Sequence, residues 1–289
     1  MNLIIGIVLV IGCVIGGFML GKGNPLALFQ PNELLIIGGA AAGAFVISNP
    51  GKVIKAVASN LPSMMKGSMY KKGYYLDSLA LLYDLLTKAR KEGLMSLEND
   101  VENPESSPIF SKYPNVLSNH HAVEFLTDYL RLIVGGSIKN AFELDSLMDI
   151  ELDTHHEEGA QPSAALTRVA DGLPGFGIVA AVLGIVITMA ALGGPPEEIG
   201  HHVAAALVGT FLGILLAYGF IGPMAIAIEH LARDEAQYFK CLKTTLVASQ
   251  QGYAPQIAVE FGRKAIFSTE RPTFAELEEH VKRKPAAAA

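Results

Sequence analysis

Tryptophan is absent from this 289-residue chain, cysteine occurs twice, and only 17% of the residues are charged. Without tryptophan, any aromatic belt at a membrane surface has to come from tyrosine and phenylalanine. Cys13 and Cys241 make neither a disulfide framework nor a paired-cysteine metal pattern. The low charge content falls short of the quarter typical of soluble domains, which points away from a simple cytosolic protein. Basic excess is missing as well: the net charge is −6 and the isoelectric point about 5.8, which excludes nucleic acid as a partner. What is abundant is apolar surface, at 51% of residues, and its distribution decides the class.

Four stretches carry no charge for long enough to cross a bilayer: 2–21, 34–49, 172–194 and 203–228. Roughly 120 more polar residues separate the second from the third, and another polar segment follows the fourth. The first stretch has no preceding Lys or Arg and no credible cleavage site, so it reads as a retained anchor. The fold class is therefore all-α: a polytopic membrane protein with four transmembrane helices and a helical cytoplasmic domain. Of the 22 Lys and Arg, 12 lie between Lys52 and Arg168 and 9 between Arg233 and Lys284. Lys22 alone falls beside the short loops, so the positive-inside rule puts both polar regions and both termini in the cytoplasm. The organisation expected is 1–50 for the first two spans, 51–169 for a helical cytoplasmic domain, 170–229 for the third and fourth spans, and 230–289 for a cytoplasmic helical tail.

Within the polar region, Leu76, Leu79, Leu82, Leu85, Leu86 and Ala89 recur at helical spacing. Segment 103–119, rich in Pro, Asn and Ser, reads as a connector, and a second helical pattern runs over 122–153. Residues 229–249 keep a helical pattern, long enough for a lever or stalk into the cytoplasm. The final run, Ala286–Ala289, is expected to be a disordered or foreign end.

The apolar cores, counted in this way, hold no Asp, Glu, Lys, Arg or His, and ion pumps normally place an ionisable group at membrane depth. Either this chain conducts nothing or a partner brings the carboxylate. Gly12 and Gly16, Gly17 and Gly21, Gly39 and Gly43, and Gly209 and Gly213 have the small-xxx-small spacing that lets helices approach closely, within one subunit or with a partner. Pro174 and Pro223 both fall in the cytoplasmic third of the bilayer, freeing the carbonyls of Ala170 and Gly219. Pro174 is expected to start a helix, and Pro223 to kink one. Thr210 is a lone hydroxyl that either bonds back to Ala206 or lines a polar path, while Thr188 is expected at the interface. The pairs His120–His121, His155–His156 and His201–His202 have no ligand spacing and read as surface groups, so no metal and no cofactor is expected. No nucleophile elbow, phosphate loop or zinc-protease motif occurs, and the chain is not expected to be an enzyme.

Three motifs then carry a resemblance: PGFGIVAAVLGIV (174–186), GTFLGILLAYGFIGP (209–223) and GYAPQIAVEFGRKAIFSTERPTFAELEEHV (252–281). The sequence resembles the MotA family of flagellar stator subunits over nearly its whole length. The related ExbB and TolQ proteins have three spans and fit less well. The resemblance implies a homopentamer in the bacterial inner membrane around a dimer of MotB, whose aspartate is the missing carboxylate. It implies that Pro174 and Pro223 flank the ion site, with Thr210 beside the path. It also implies that Arg90 and Glu98, in ARKEGLMSLE, face the rotor protein FliG, with Lys91 and Glu151 as lesser candidates. Sodium-driven relatives carry Thr where Ala181 stands here; an alanine methyl cannot replace a hydration shell, so protons are the expected ion. The alternatives are a sodium-driven stator, an ExbB-like energiser of outer-membrane transport and a passive membrane scaffold.

Overall fold

The computed structural model describes residues 2–190 and 192–282, and the Ala286–Ala289 run lies outside the described residues. All regular structure among the described residues is helical. The helices are α1 (Asn2–Leu20), α2 (Pro31–Ser48), α3 (Gly51–Lys66), α4 (Lys72–Glu92), α5 (Glu98–Glu102), α6 (Pro114–Leu117), α7 (His120–Val134), α8 (Ala141–Ala190), α9 (Pro196–Leu215), α10 (Gly222–Gln250), α11 (Pro255–Ala265) and α12 (Phe274–Lys282). Among the described residues, four helical stretches are long and apolar enough to cross a membrane, in α1, α2, α8 and the segment from α9 into α10. The chain divides into two units, Met1–Gly67 with Glu158–Ala232, and Ser68–Glu157 with Arg233–Ala289.

In the membrane unit the tightest packing is between α8 and α9, where glycine lets backbone meet backbone. A β-carbon on Gly177 would stand 3.0 Å from the Gly209 carbonyl oxygen and 3.1 Å from the Gly213 Cα. One on Gly184 would press the Ala206 Cβ at 2.9 Å. Without a strong hydrophobic drive between helices in lipid, such close approach supplies the packing energy. Gly209 and Gly213 therefore pack inside the chain, whereas Gly12, Gly16, Gly39 and Gly43 have nothing within 4 Å. Helix α3 is amphipathic: Val53, Val57 and Met64 are buried while Lys52 and Lys55 are not.

Three expectations need correction here. Pro174 does not start a helix; with Pro162 it lies inside the 50-residue α8. A proline in a helix interior costs about 3 kcal/mol, which the burial of Ala170, Leu173 and Ala180 around it offsets. The pattern over 122–153 is two helices: Gly135 and Gly136 end α7, the latter at φ 66°, a left-handed backbone natural to glycine. Segment 103–119 is no loose connector, since Phe110 and Val116 are fully buried and Pro104 and Pro114 each open a helical turn.

In the second unit α4 is the central element, with Leu79, Leu81, Leu82 and Leu85 fully buried. Helix α11 packs on it through Gly262, where a β-carbon would collide with the Thr245 hydroxyl and approach the Leu79 Cδ2 to 3.0 Å. Tyr70, Tyr74 and Tyr75 gather round Tyr238, which hydrogen-bonds Ser78 at 3.1 Å. Burial pushes the Tyr238 phenol far above its ordinary range. Lys243 of α10 reaches Asp145 and Asp149, one turn apart on α8, at 2.9 and 2.5 Å.

Candidate functional site: the α8–α9 pair and an exposed charged turn

The antiparallel register of α8 on α9 sets the levels of the residues expected at the ion path. Gly177 faces Gly209 and Gly213, and Gly184 faces Ala206. Ala181 therefore lies beside Gly209, where its backbone nitrogen would be 3.4 Å from an added β-carbon. Thr210, one residue on, has its Cα 3.4 Å from the β-carbon position of Gly177. The same register carries Pro174 to the level of Leu216.

Leu216 begins a π-helical turn, Leu216–Ile221, and the Gly222 N–H reaches back five residues to the Ala217 carbonyl. Pro223 follows it directly. The distortion expected at Pro223 thus takes the form of one widened turn rather than a sharp kink. The two prolines do not share one depth. Pro223 falls seven residues beyond the level of Pro174, about 10 Å of helix rise. Ser163, near the level of Pro223, gives its hydroxyl to the Ala225 carbonyl at 2.9 Å.

The two threonines also part company. Thr188, expected at the interface, is buried and bonds back to the Gly184 carbonyl at 2.8 Å. Thr210 is half-buried and makes no such back-bond to Ala206 among the described residues.

The second span does not begin beyond the last acidic residue: α2 starts at Pro31 and buries Glu33 against α9, at 6% exposure. The Glu33 Oε2 would lie 2.9 Å from a β-carbon on Gly209. Counting charge-free residues along the chain excluded Glu33 because it stands at the end of a run. Only helix packing reveals it as an interior group.

In the other unit, Arg90 and Lys91 are exposed in the last turn of α4, and Glu98 is exposed in the first turn of α5. Gly93, at φ 89°, turns the chain between them, and Leu94 and Met95 beside it are also exposed. Beneath lies a small polar core: Asp100, 1% exposed, accepts from Lys88 and from the Ser107 hydroxyl, both at 2.6 Å. The Ser107 hydroxyl in turn accepts from the Ile109 N–H at 3.1 Å. This network fixes the turn that presents Arg90 and Glu98. Sequence reading missed Asp100, and its sole signal was an acidic residue with serine seven positions on. Glu151 belongs elsewhere, since it accepts from the Tyr129 hydroxyl and lines a cavity with His121 and His155.

The histidine pairs separate as well. His121 of α7, His155 of α8 and Glu235 of α10 bring their ligand atoms within 4.8 Å of one another. Glu235 also accepts from the Tyr70 hydroxyl at 3.1 Å, and burial together with this carboxylate drives the phenol well above its ordinary range. Spacing along the chain hides this grouping, because one member comes from each of three helices.

Comparison with known proteins matches residues 4–93 to the description "Motility protein A N-terminal" and residues 118–240 to the "MotA/TolQ/ExbB proton channel family". The sequence is 49% identical over 282 residues to Motility protein A of Salmonella typhimurium, covering 98% of this chain and 95% of that one. Its fold is similar to that of C. jejuni MotAB, with a TM-score of 0.76 at 21% identity, covering 92% of this chain and 96% of that chain. It is similar also to the flagellar MotAB stator complex from Bacillus subtilis, with a TM-score of 0.70 at 24% identity over 89% and 92% of the two chains.

Proposed function

The chain belongs to the motility protein A family and is a flagellar stator subunit of the MotA/TolQ/ExbB proton channel class, and from that premise we propose that it forms a proton-driven complex with MotB. The observation that carries this reading is the α8–α9 pair. Its membrane stretches hold no Asp, Glu, Lys, Arg or His, yet they pack at backbone contact around Gly177, Gly209 and Gly213 and leave Thr210 without a back-bond to Ala206. Such a wall can line an ion path while a MotB carboxylate carries the charge. Copies of this chain, five by family resemblance, surround the MotB helices.

Protons cross from the outside, neutralise the MotB carboxylate and leave to the cytoplasm. Each charge crossing 100 mV releases about 2.3 kcal/mol. Neutralisation changes how the MotB helix fits between Pro174 and the widened turn before Pro223, and the ring of subunits steps. Ala181, a methyl beside Gly209, offers sodium no oxygen, which favours protons. The charge asymmetry of the loops supports an inner-membrane orientation with both termini in the cytoplasm.

Arg90 and Glu98, with Lys91 on the same turn, engage FliG. Exposed pairs of this kind are weak and salt-screened, so they form and release at each step. Glu151 contributes less directly, as it is engaged with Tyr129.

The test is the swimming speed of a stator-null strain carrying this chain with its own MotB, at fixed membrane potential. Motility that persists without sodium and stops with a protonophore is expected. Motility that requires sodium overturns the choice of ion. Charge reversal at Arg90 together with Glu98 should abolish swimming while the complex still assembles, and reversed FliG charges should restore part of it.

A further inference from the structure

Glu33 is the one acidic side chain that the membrane unit buries among its described residues, and its Oε2 has no hydrogen-bond partner there. Three elements converge on that atom. It stands against Gly209 of α9, whose β-carbon position is also 3.2 Å from the Ala180 Cβ and 3.4 Å from the Ala181 nitrogen of α8. A side chain at 209 would fill the space the carboxyl uses. No ion pair reaches Glu33 among the described residues.

The charged and titratable groups of the surrounding elements lie well away along their helices. On α9 they are Glu197, Glu198, His201 and His202, the last seven residues before Gly209 and about 10 Å below it in helix rise. On α8 the nearest is Asp171, ten residues before Ala181 and about 15 Å away. The short turn Pro25–Leu28 has none, and α1 offers only Cys13.

A carboxylate left unpartnered in an apolar contact is costly, so such a group either holds a proton or takes a cation from outside the chain. The carboxyl's own two oxygens are too few to replace a sodium hydration shell. We infer that Glu33 is a proton-relay group contributed by this chain, set on the ion path at the level of Ala181 and Thr210. The inference rests on the proton-driven reading above and deepens it. A proton from outer water binds one Glu33 oxygen as an O–H bond. That bond then breaks as the proton passes to the next acceptor, a water or the carboxylate of MotB, and Glu33 returns to carboxylate. No oxidation is involved.

The experiment uses the full chain with its MotB and compares the parent with E33Q and E33D. The first reading is infrared titration of the purified complex, in which a carboxylic-acid band that responds to pH should be present in the parent and missing in E33Q. The second is swimming speed against external pH. E33Q should lose speed most on the alkaline side, where protons are scarce, by about tenfold, a modest effect for a proton-transfer group. E33D should keep much of the speed but shift that alkaline limb.

Parental speed for E33Q at every pH overturns the relay. So does an equal loss in E33Q and E33D with an unshifted pH profile, which marks a structural role. If E33Q fails to assemble, E33D decides: a shifted limb supports the relay and an unshifted one overturns it. A parent that swims on sodium in the presence of a protonophore refutes the proton-driven reading instead, and the infrared band still reports whether Glu33 carries a proton.

Discussion

Gly213 and Gly177 face each other so closely that a β-carbon on Gly213 would lie 2.8 Å from the Gly177 Cα and equally near the Leu173 carbonyl oxygen. Neither atom is the movable end of a side chain, so α8 and α9 must separate to admit anything larger than hydrogen. Gly213→Val should therefore remove most of the complex recovered from membranes. Gly12→Val, at a position with nothing within 4 Å, should leave the fold of the single chain intact. Overpacking in a tight core costs about 1–3 kcal/mol, and backbone contact leaves little room to relax. Recovery of both variants in mild detergent, measured side by side, checks the contrast.

Asp100 holds the exposed turn from beneath. Asp100→Asn keeps the shape but removes the charge that Lys88 and Ser107 satisfy. A loss of roughly 2 kcal/mol is expected for an unsatisfied buried partner of this kind. Thermal unfolding of the purified protein should show it, with swimming speed falling in parallel because Arg90 and Glu98 lose their support. An unchanged melting temperature would count against the network.

Glu276 predicts an acid response for α12. Its carboxylate is held down to about 2 from 4.5, chiefly by Lys72, and then by the Thr273 N–H and hydroxyl of a capping box. A carboxylate whose folded value is depressed stabilises the fold above its unfolded value and loses that contribution as pH falls toward the folded one. Protection of the α12 amides in hydrogen exchange should accordingly decline between pH 4.5 and about 2. Lys72→Met should move that decline upward in pH.

Cys241 is fully buried, and burial drives its thiol far above the ordinary range. In a Cys13→Ser background, thiol reagents should leave the folded protein unlabelled and modify it only after denaturation. Labelling at the rate of a free thiol would mean that α10 opens readily from α4.

The four spans were legible in the sequence because a bilayer tests only length and the absence of charge, and both are properties of a run. The three long motifs were equally local, and so pointed to the family from the sequence alone. The leucine spacing over 76–89 announced α4, since an amphipathic face is a periodicity. The break at Gly135–Gly136 was visible as residues, but helical periodicity on both sides masked it.

Tertiary structure decided everything that depends on which elements meet. Whether Pro174 opens a helix or sits within one was settled by the burial of its neighbours, not by the proline ring. Glu33 looked like the polar edge of a span until α9 covered it. Asp100 looked like one more surface acid until Lys88 and Ser107 closed over it, and His121 and His155 met only because α7 and α8 bring them together. A chain records its periodicities in order, but burial and electrostatics depend on distances through space, and only the packed helices fix those.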